Sequence, residues 1–344
     1  MEYGIAPYRR DYCNKIAYAP DRGTGMYCGM NHGSPHRLND VWEYHLGSNT
    51  WHLLFAPDAN YSAQEWRTAE WFKRHVVFKD GYLQTRRGGM LNSVHTWDGL
   101  TYDPVLKRML WANVASEHPN ELKLFAEAMG LDHEELVKQK KPGSRLWMYD
   151  PKEGRWFKQM GPGPHPRLAC LGGTLEYIPE LKKSLWYACQ WNESGMWLYD
   201  SKANTWTELK PNGGKNMYHD KSGVFPPTEL QAAYSSKHQK LVAVQGTGTW
   251  WYDIKKNEWS KACEDPVNDA HDARSVFAYD SVNDVFLLHQ PHKKNLRAYR
   301  IDTNKWETLQ PQGAGISTGG AGYFDPHHNV LIVYEGNRMW VVPL

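Results

Sequence analysis

Apolar and polar positions alternate along most of this chain in short runs, each closed by a cluster of Asp, Asn, Ser, Lys or Gly. That is the period of a half-buried β-strand, with turn chemistry between strands. The pattern is clearest at Met196-Trp197-Leu198-Tyr199-Asp200-Ser201-Lys202-Ala203-Asn204-Thr205-Trp206-Thr207-Glu208-Leu209. An aromatic strand ends there in Tyr-Asp, polar residues turn, and a second strand opens on Trp. Residues 41–54, 146–160, 249–262 and 296–309 copy it. In all five stretches the tyrosine precedes the tryptophan by seven residues: Tyr44/Trp51, Tyr149/Trp156, Tyr199/Trp206, Tyr252/Trp259 and Tyr299/Trp306. The pattern predicts five β-hairpins and a repeat protein.

Upstream of each hairpin lies a shorter unit, a strand closing on tyrosine and then a turn, at residues 15–20, 99–104, 174–179, 231–235, 276–280 and 320–325. A second apolar strand follows, as at residues 184–189, 240–244, 285–288 and 330–334. The full unit is a four-stranded meander of roughly 45–50 residues. The first half occurs six times but the complete hairpin only five, because the last unit stops on its third strand at Met339-Trp340-Val341-Val342-Pro343-Leu344. A bare strand edge there would invite aggregation. A ring in which residues 2–8 supply the missing outer strand removes it. The expected fold is therefore all-β, a six-bladed β-propeller of four-stranded blades, with a seventh irregular blade inside residues 60–96 as the alternative.

The hairpin, its first strand ending in Tyr-Asp and its second opening on Trp, resembles the kelch motif, and the resemblance covers nearly the whole chain. The Gly-Gly doublet usual after the second kelch strand is absent, with Cys28-Gly29-Met30, Cys189-Gln190 and Gln245-Gly246 in its place. The chain is thus similar to a divergent kelch-type propeller of the galactose-oxidase central-domain kind. Such a resemblance implies fold far more than chemistry.

Composition narrows the function classes. Hydrophobic residues make up 41% of the chain, and 17 Trp with 20 Tyr allow a core built from few large side chains. The net charge is +2 with both signs interspersed, so no nucleic-acid footprint is expected. No apolar run is long enough to span a bilayer, so no membrane partner is expected either. The five cysteines form no CxxC pair, and their odd number excludes a complete intrachain disulfide framework. The opening Met1-Glu2-Tyr3-Gly4 lacks the basic and apolar regions of a secretory signal. It fits a cytoplasmic protein or the mature start of a secreted or periplasmic one, the latter favoured if the chain is a mature form. A monomer is expected.

Two insertions, residues 61–94 and 117–143, break the rhythm within a single 1–344 domain. Trp51 to Tyr102 spans 51 residues, where other blade-to-blade steps span 17 to 28. In the first insertion Ser62-Ala63-Gln64-Glu65 reads as a capping box opening a helix through about Arg74, followed by a hairpin over residues 76–82. In the second, residues 120–129 are helical, Gly130 breaks the helix, and Asp132-His133-Glu134-Glu135 caps another. Loops joining strands two and three share a rim with loops joining blades, so both insertions should wall the same face.

Candidate chemistry gathers on that rim. His95, His165, His219 and His271 precede innermost strands, with Arg167, Arg274, Tyr218 and Lys221 beside them, and His36 and Arg37 lie in a loop of blade 1. Such a rim suits an anionic or polyhydroxylated ligand, since Arg binds carboxylate bidentately and aromatic rings stack on sugars. The most concrete activity is a polysaccharide lyase acting on a uronic-acid glycan. β-Elimination there needs a base, an acid and a cation to neutralise the carboxylate, roles suited to His, Tyr and Arg. The fold is similar to that of the ulvan-type propeller lyases, and His75 with His95 resembles their paired histidines. With the rim positions, the expected catalytic residues are His75, His95, Tyr218, His219 and Arg167, and the expected substrate-binding residues His165, His271, Arg274, His36, Arg37 and Lys221. A non-catalytic kelch-like module binding glycan or protein is the alternative. A copper-radical oxidase is the second, because Tyr218-His219 resembles part of that copper site. A divalent metal in the His32-Gly33-Ser34-Pro35-His36 loop is open to the same reading.

If residues 1–8 complete the last blade, deleting them should lower the thermal midpoint by several degrees. An unchanged unfolding curve would exclude that closure.

Overall fold

The computed structural model describes residues 7, 10, 13–29, 39–57, 68–91, 96–112, 119–141, 145–166, 168, 173–190, 193–213, 231–245, 248–263, 275–310, 319–335 and 338–344. Their strands form five four-stranded sheets, one three-stranded sheet and a separate two-stranded hairpin. Within each blade the strands pair antiparallel in chain order, a meander from the inside outward. The innermost strands are Ala17–Ala19, Leu100–Asp103, Gly173–Ile178, Gln231–Ser235, Val276–Asp280 and Ala321–Asp325. This is a six-bladed propeller. Residues 76–85 form a separate two-stranded sheet, with one further bridge from Gln84 to Met90, so the seventh-blade alternative fails. The last sheet ends on Arg338–Pro343 among the described residues, and the N-terminal strand expected to complete it lies outside them.

Why this sequence makes blades is visible in the repeated hairpin. Every Tyr/Trp pair sits directly opposite across the two strands. Their ring centroids are 5.0 to 5.4 Å apart, an aromatic cross-strand contact that stabilises the pairing and fixes its register. In the turns Asp150 and Asp200 each accept two backbone N–H groups on Oδ1. The last turn residue is left-handed: Asn49, Asn204, Asn257 and Asn304 have φ of 52 to 56°, and Gly154 has 63°. Only Asn, Asp and Gly adopt that region cheaply. Each Asn also accepts the phenol proton of its own hairpin tyrosine at 2.6 to 2.9 Å. Where Gly154 offers no side chain, Tyr149 donates instead to the carbonyl of Leu54 in blade 1, at 3.0 Å.

The blades are held together by six apolar seams. Tyr199 and Trp206 of blade 3 pack with Leu110 and Met148 of blade 2, and Trp259 of blade 4 packs with Ile178 and Tyr187 of blade 3. The seam that closes the ring joins Ile16, Tyr27 and Tyr44 of blade 1 to Tyr323, Ile332 and Tyr334 of blade 6. The backbone follows: Ile16 N donates to Gly322 O and Gly322 N to Asn14 O, both at 3.0 Å. Cys28 and Cys263 are free thiols.

The insertions make a satellite core. Helix α1 (Ala69–His75) is capped by Thr68, whose hydroxyl accepts from Trp71 N, and the Ser62 capping box lies outside the described residues. Helix α2 (Pro119–Met129) ends at left-handed Gly130, and α3 (His133–Gln139) begins with Asp132 accepting from Glu134 N. Phe72, Val76 and Leu83 of the first insertion pack on Leu122, Phe125 and Leu136 of the second.

Replacing Asn257 separates its two roles. Asn257→Gly loses the Tyr252 hydrogen bond but keeps the φ, whereas Asn257→Ala loses both and should be less stable by about 1 kcal/mol more. Equal stability of the two variants in denaturant would show that the left-handed turn carries no cost.

Candidate functional site

Where the insertion hairpin meets blade 2, a group of cationic and aromatic side chains converges on Tyr82. Tyr82 opens the strand Tyr82–Thr85, which the satellite core presses toward the outer half of blade 2. Arg145 lies just before the blade's third strand, Trp147–Asp150, and Lys158 ends its fourth, Arg155–Lys158. Antiparallel order puts both at one end of the blade.

Arg145 Nε donates to the Tyr82 hydroxyl at 2.8 Å, with the guanidinium carbon 6.0 Å from the ring centroid. The Lys158 ammonium stands 4.2 Å from the same centroid, 5.8 Å from that of Trp147, and 3.4 Å from Gln84 Oε1. Among the described residues no carboxylate pairs with Arg145, and its Nη1 is buried without a hydrogen-bond partner. A buried cationic N–H left unpaired is costly, so this guanidinium favours any anion that can reach it. His165 sits nearby with Nδ1 3.2 Å from Pro166 O. Burial, and then the charge of Arg145, hold its pKa below the usual histidine value, so the imidazole is neutral at neutral pH.

Of the residues singled out from the sequence, His165 belongs to this group. His75 is the last residue of α1, half-buried, its ring 5.8 Å from Trp71 and its carbonyl accepting from Arg86 N at 2.9 Å. His95, Arg167, Tyr218, His219, Lys221, His271, Arg274, His36 and Arg37, with the His32–His36 loop pair, lie outside the described residues. Arg145 and Tyr82 were not anticipated. One signal was available: Arg145 precedes its hairpin tyrosine by four residues, where the other blades carry Asp40, Gly195, Gly248 and Asn295. Lys158 sits inside the repeat itself and offers no such contrast.

One group among the described residues could hold a metal ion, His238 with Asp284 and Asp302, between blades 4 and 5. Asp284 is already engaged by His238 Nε2 at 3.0 Å, by Tyr279 at 2.7 Å and by Lys237. A cation there would have to displace an ammonium, so this group reads as an inter-blade ion pair.

No family model and no curated protein matches the chain. Among solved structures it is similar to the crystal structure of TolB from Acinetobacter baumannii, at 10% identity and a TM-score of 0.46. The match covers 90% of this chain and 57% of that one, so the chain spans a little over half of that protein's length.

The electrostatic link is directly measurable. Arg145→Gln should raise the His165 pKa, followed by NMR titration of its ring protons, because a nearby positive charge has been removed. A pKa that stays put would mean that the imidazole does not sense Arg145.

Proposed function

We propose that this kelch-like propeller is a binding protein for an anionic, polyhydroxylated ligand, with a uronic-acid glycan as the chemistry that fits best. The observation that carries the reading is Arg145, a part-buried guanidinium with no carboxylate partner among the described residues and an unpaired Nη1. A uronate carboxylate supplies the planar pair of acceptors that this group lacks. Lys158 adds a second positive charge, held over the buried rings of Tyr82 and Trp147. The insertions that build the site are what sets blade 2 apart from the other copies of the repeat.

A lyase is the second reading, and His165 is what favours it. β-Elimination on a uronate requires a neutral base near the α-proton while a cation holds the carboxylate. His165, kept neutral by burial and by Arg145, has the protonation state and the neighbour for that role. Arg145 Nε donates to the Tyr82 oxygen, which sets a phenol beside the guanidinium as the candidate acid.

Calorimetry against a panel of uronate polysaccharides, with the ultraviolet absorbance of an unsaturated product followed in parallel, tests both readings. Binding without absorbance supports the module, and binding with absorbance the lyase. Arg145→Ala should weaken binding at least ~10-fold, given the strength of a charge-assisted hydrogen bond, with little change in thermal midpoint. A panel without any binding would overturn the proposal.

A further inference from the structure

At the opposite end of the channel, where the first and second strands of each blade turn, a cavity of about 240 Å3 opens on the ring axis. Its walls follow the repeat. Tyr18, Tyr102, Tyr177, Tyr234, Tyr279 and Phe324 each pair across the blade with the residue seven further on, so all six hold one register position. All six line the cavity. In blade 6 the register assigns this position to Phe324, whereas Tyr323, the tyrosine apparent in the sequence repeat, sits one residue earlier. Four blades have a small residue at that earlier position, namely Ala17, Thr101, Ala233 and Ala278, which leaves the axis open. Tyr323 instead stacks on Tyr18 across the closing seam, centroids 5.8 Å apart and planes 20° apart.

The remaining blade places Glu176 at that position, and its carboxylate meets Lys15. The Lys15 ammonium also donates to Leu175 O at 2.9 Å and lies 4.0 Å from Asp98 Oδ2. Lys15 and Glu176 both line the cavity, so one cation faces two acids at its inner end. Burial pushes the Glu176 carboxyl up, as expected where water is scarce and a second acid is close. Carboxylates also surround the aromatic ring. Tyr234 donates to Glu180 at 2.9 Å and Tyr279 to Asp284 at 2.7 Å. Burial and a neighbouring acid hold up the phenol pKa values of the other three tyrosines, the acids being Asp325 at Tyr18, Asp21 at Tyr102 and Asp103 at Tyr177. Lys107 and Lys237 offset Asp21 and Asp284 in part.

We infer that this cavity binds a small quaternary ammonium ion of about the size of choline. Aromatic walls attract a cation through the negative faces of the rings, and a phenol that donates to a carboxylate presents a more electron-rich ring. An anion would meet the acid that flanks each of the five tyrosines, with Lys15, Lys107 and Lys237 offsetting only part of that charge. A metal ion or a primary ammonium would have to give up strong hydration for walls that are mostly carbon. A trimethylammonium group is weakly hydrated, matches the apolar lining with its methyls, and by its charge favours the ionised form of Glu176 at the inner end.

Calorimetric titration of the full chain with choline, and with the neutral isostere in which tert-butyl replaces trimethylammonium, tests this. Choline should bind at one site and the isostere roughly 10-fold more weakly, within the range of a desolvated cation–π contact. Tyr177→Leu, at a partly exposed ring position, should fold normally by circular dichroism and weaken choline about fivefold, while leaving glycan binding unchanged. Glu176→Gln should weaken choline as well. Absence of choline binding, equal affinity for the isostere, or wild-type affinity in both folded variants would overturn the assignment.

Discussion

Each blade of this protein has two apolar faces, and only its neighbours cover them. That constraint governs the rest of the structure. A four-stranded meander cannot bury both faces alone, so the seams between blades are the core, and they protect every face only if the first and last blades meet. The seam of Ile16, Tyr27 and Tyr44 with Tyr323, Ile332 and Tyr334 makes that junction, and the backbone bonds at Gly322 tie it at the axis. The repeated Tyr–Asn–Trp hairpin serves the same end. Its left-handed Asn reverses the chain, its Tyr–Trp contact fixes register, and both rings then meet the preceding blade.

Both proposed sites lie where the repeat is broken. At one end of blade 2 the insertions bring Tyr82 against Arg145 and Lys158, leaving a guanidinium that pairs with no acid among the described residues. At the other end of the channel, Glu176 and Tyr323 interrupt a ring of small residues and give an aromatic-walled cavity an acidic inner end. The two proposed sites would take ligands of opposite charge. A ring of near-identical blades permits this because the scaffold is insensitive to what a single blade carries at its turns.

Much of the fold was legible in the sequence, because a seven-residue Tyr-to-Trp spacing repeated five times reports strand, turn and register together. The hairpin at residues 76–85 and the breaks at Gly130 and Asp132 were legible for the same local reasons. The register of blade 6 was less so. Tyr323 looks like the repeated tyrosine, yet strand pairing assigns the position to Phe324, a slip of one residue that only cross-strand partners reveal. The site was harder still. Tyr82 and Arg145 are 63 residues apart and meet only once two insertions have packed on each other. Lys15 and Glu176 are 161 residues apart and meet only because the ring closes. The histidine-rich loops point to the rim that carries His165, whereas the group beside it centres on Tyr82 and Arg145, which no repeated motif marks.

The whole ring depends on the closing seam, and amide hydrogen exchange tests it most directly. The N–H groups of Ile16 and Gly322 cross the seam between blades 6 and 1, and that of Leu175 crosses between blades 2 and 3. In a ring closed by packing all three exchange only through global unfolding, with the same dependence on denaturant. Exchange of Ile16 and Gly322 through a smaller opening, while Leu175 stays protected, would contradict a ring closed by packing.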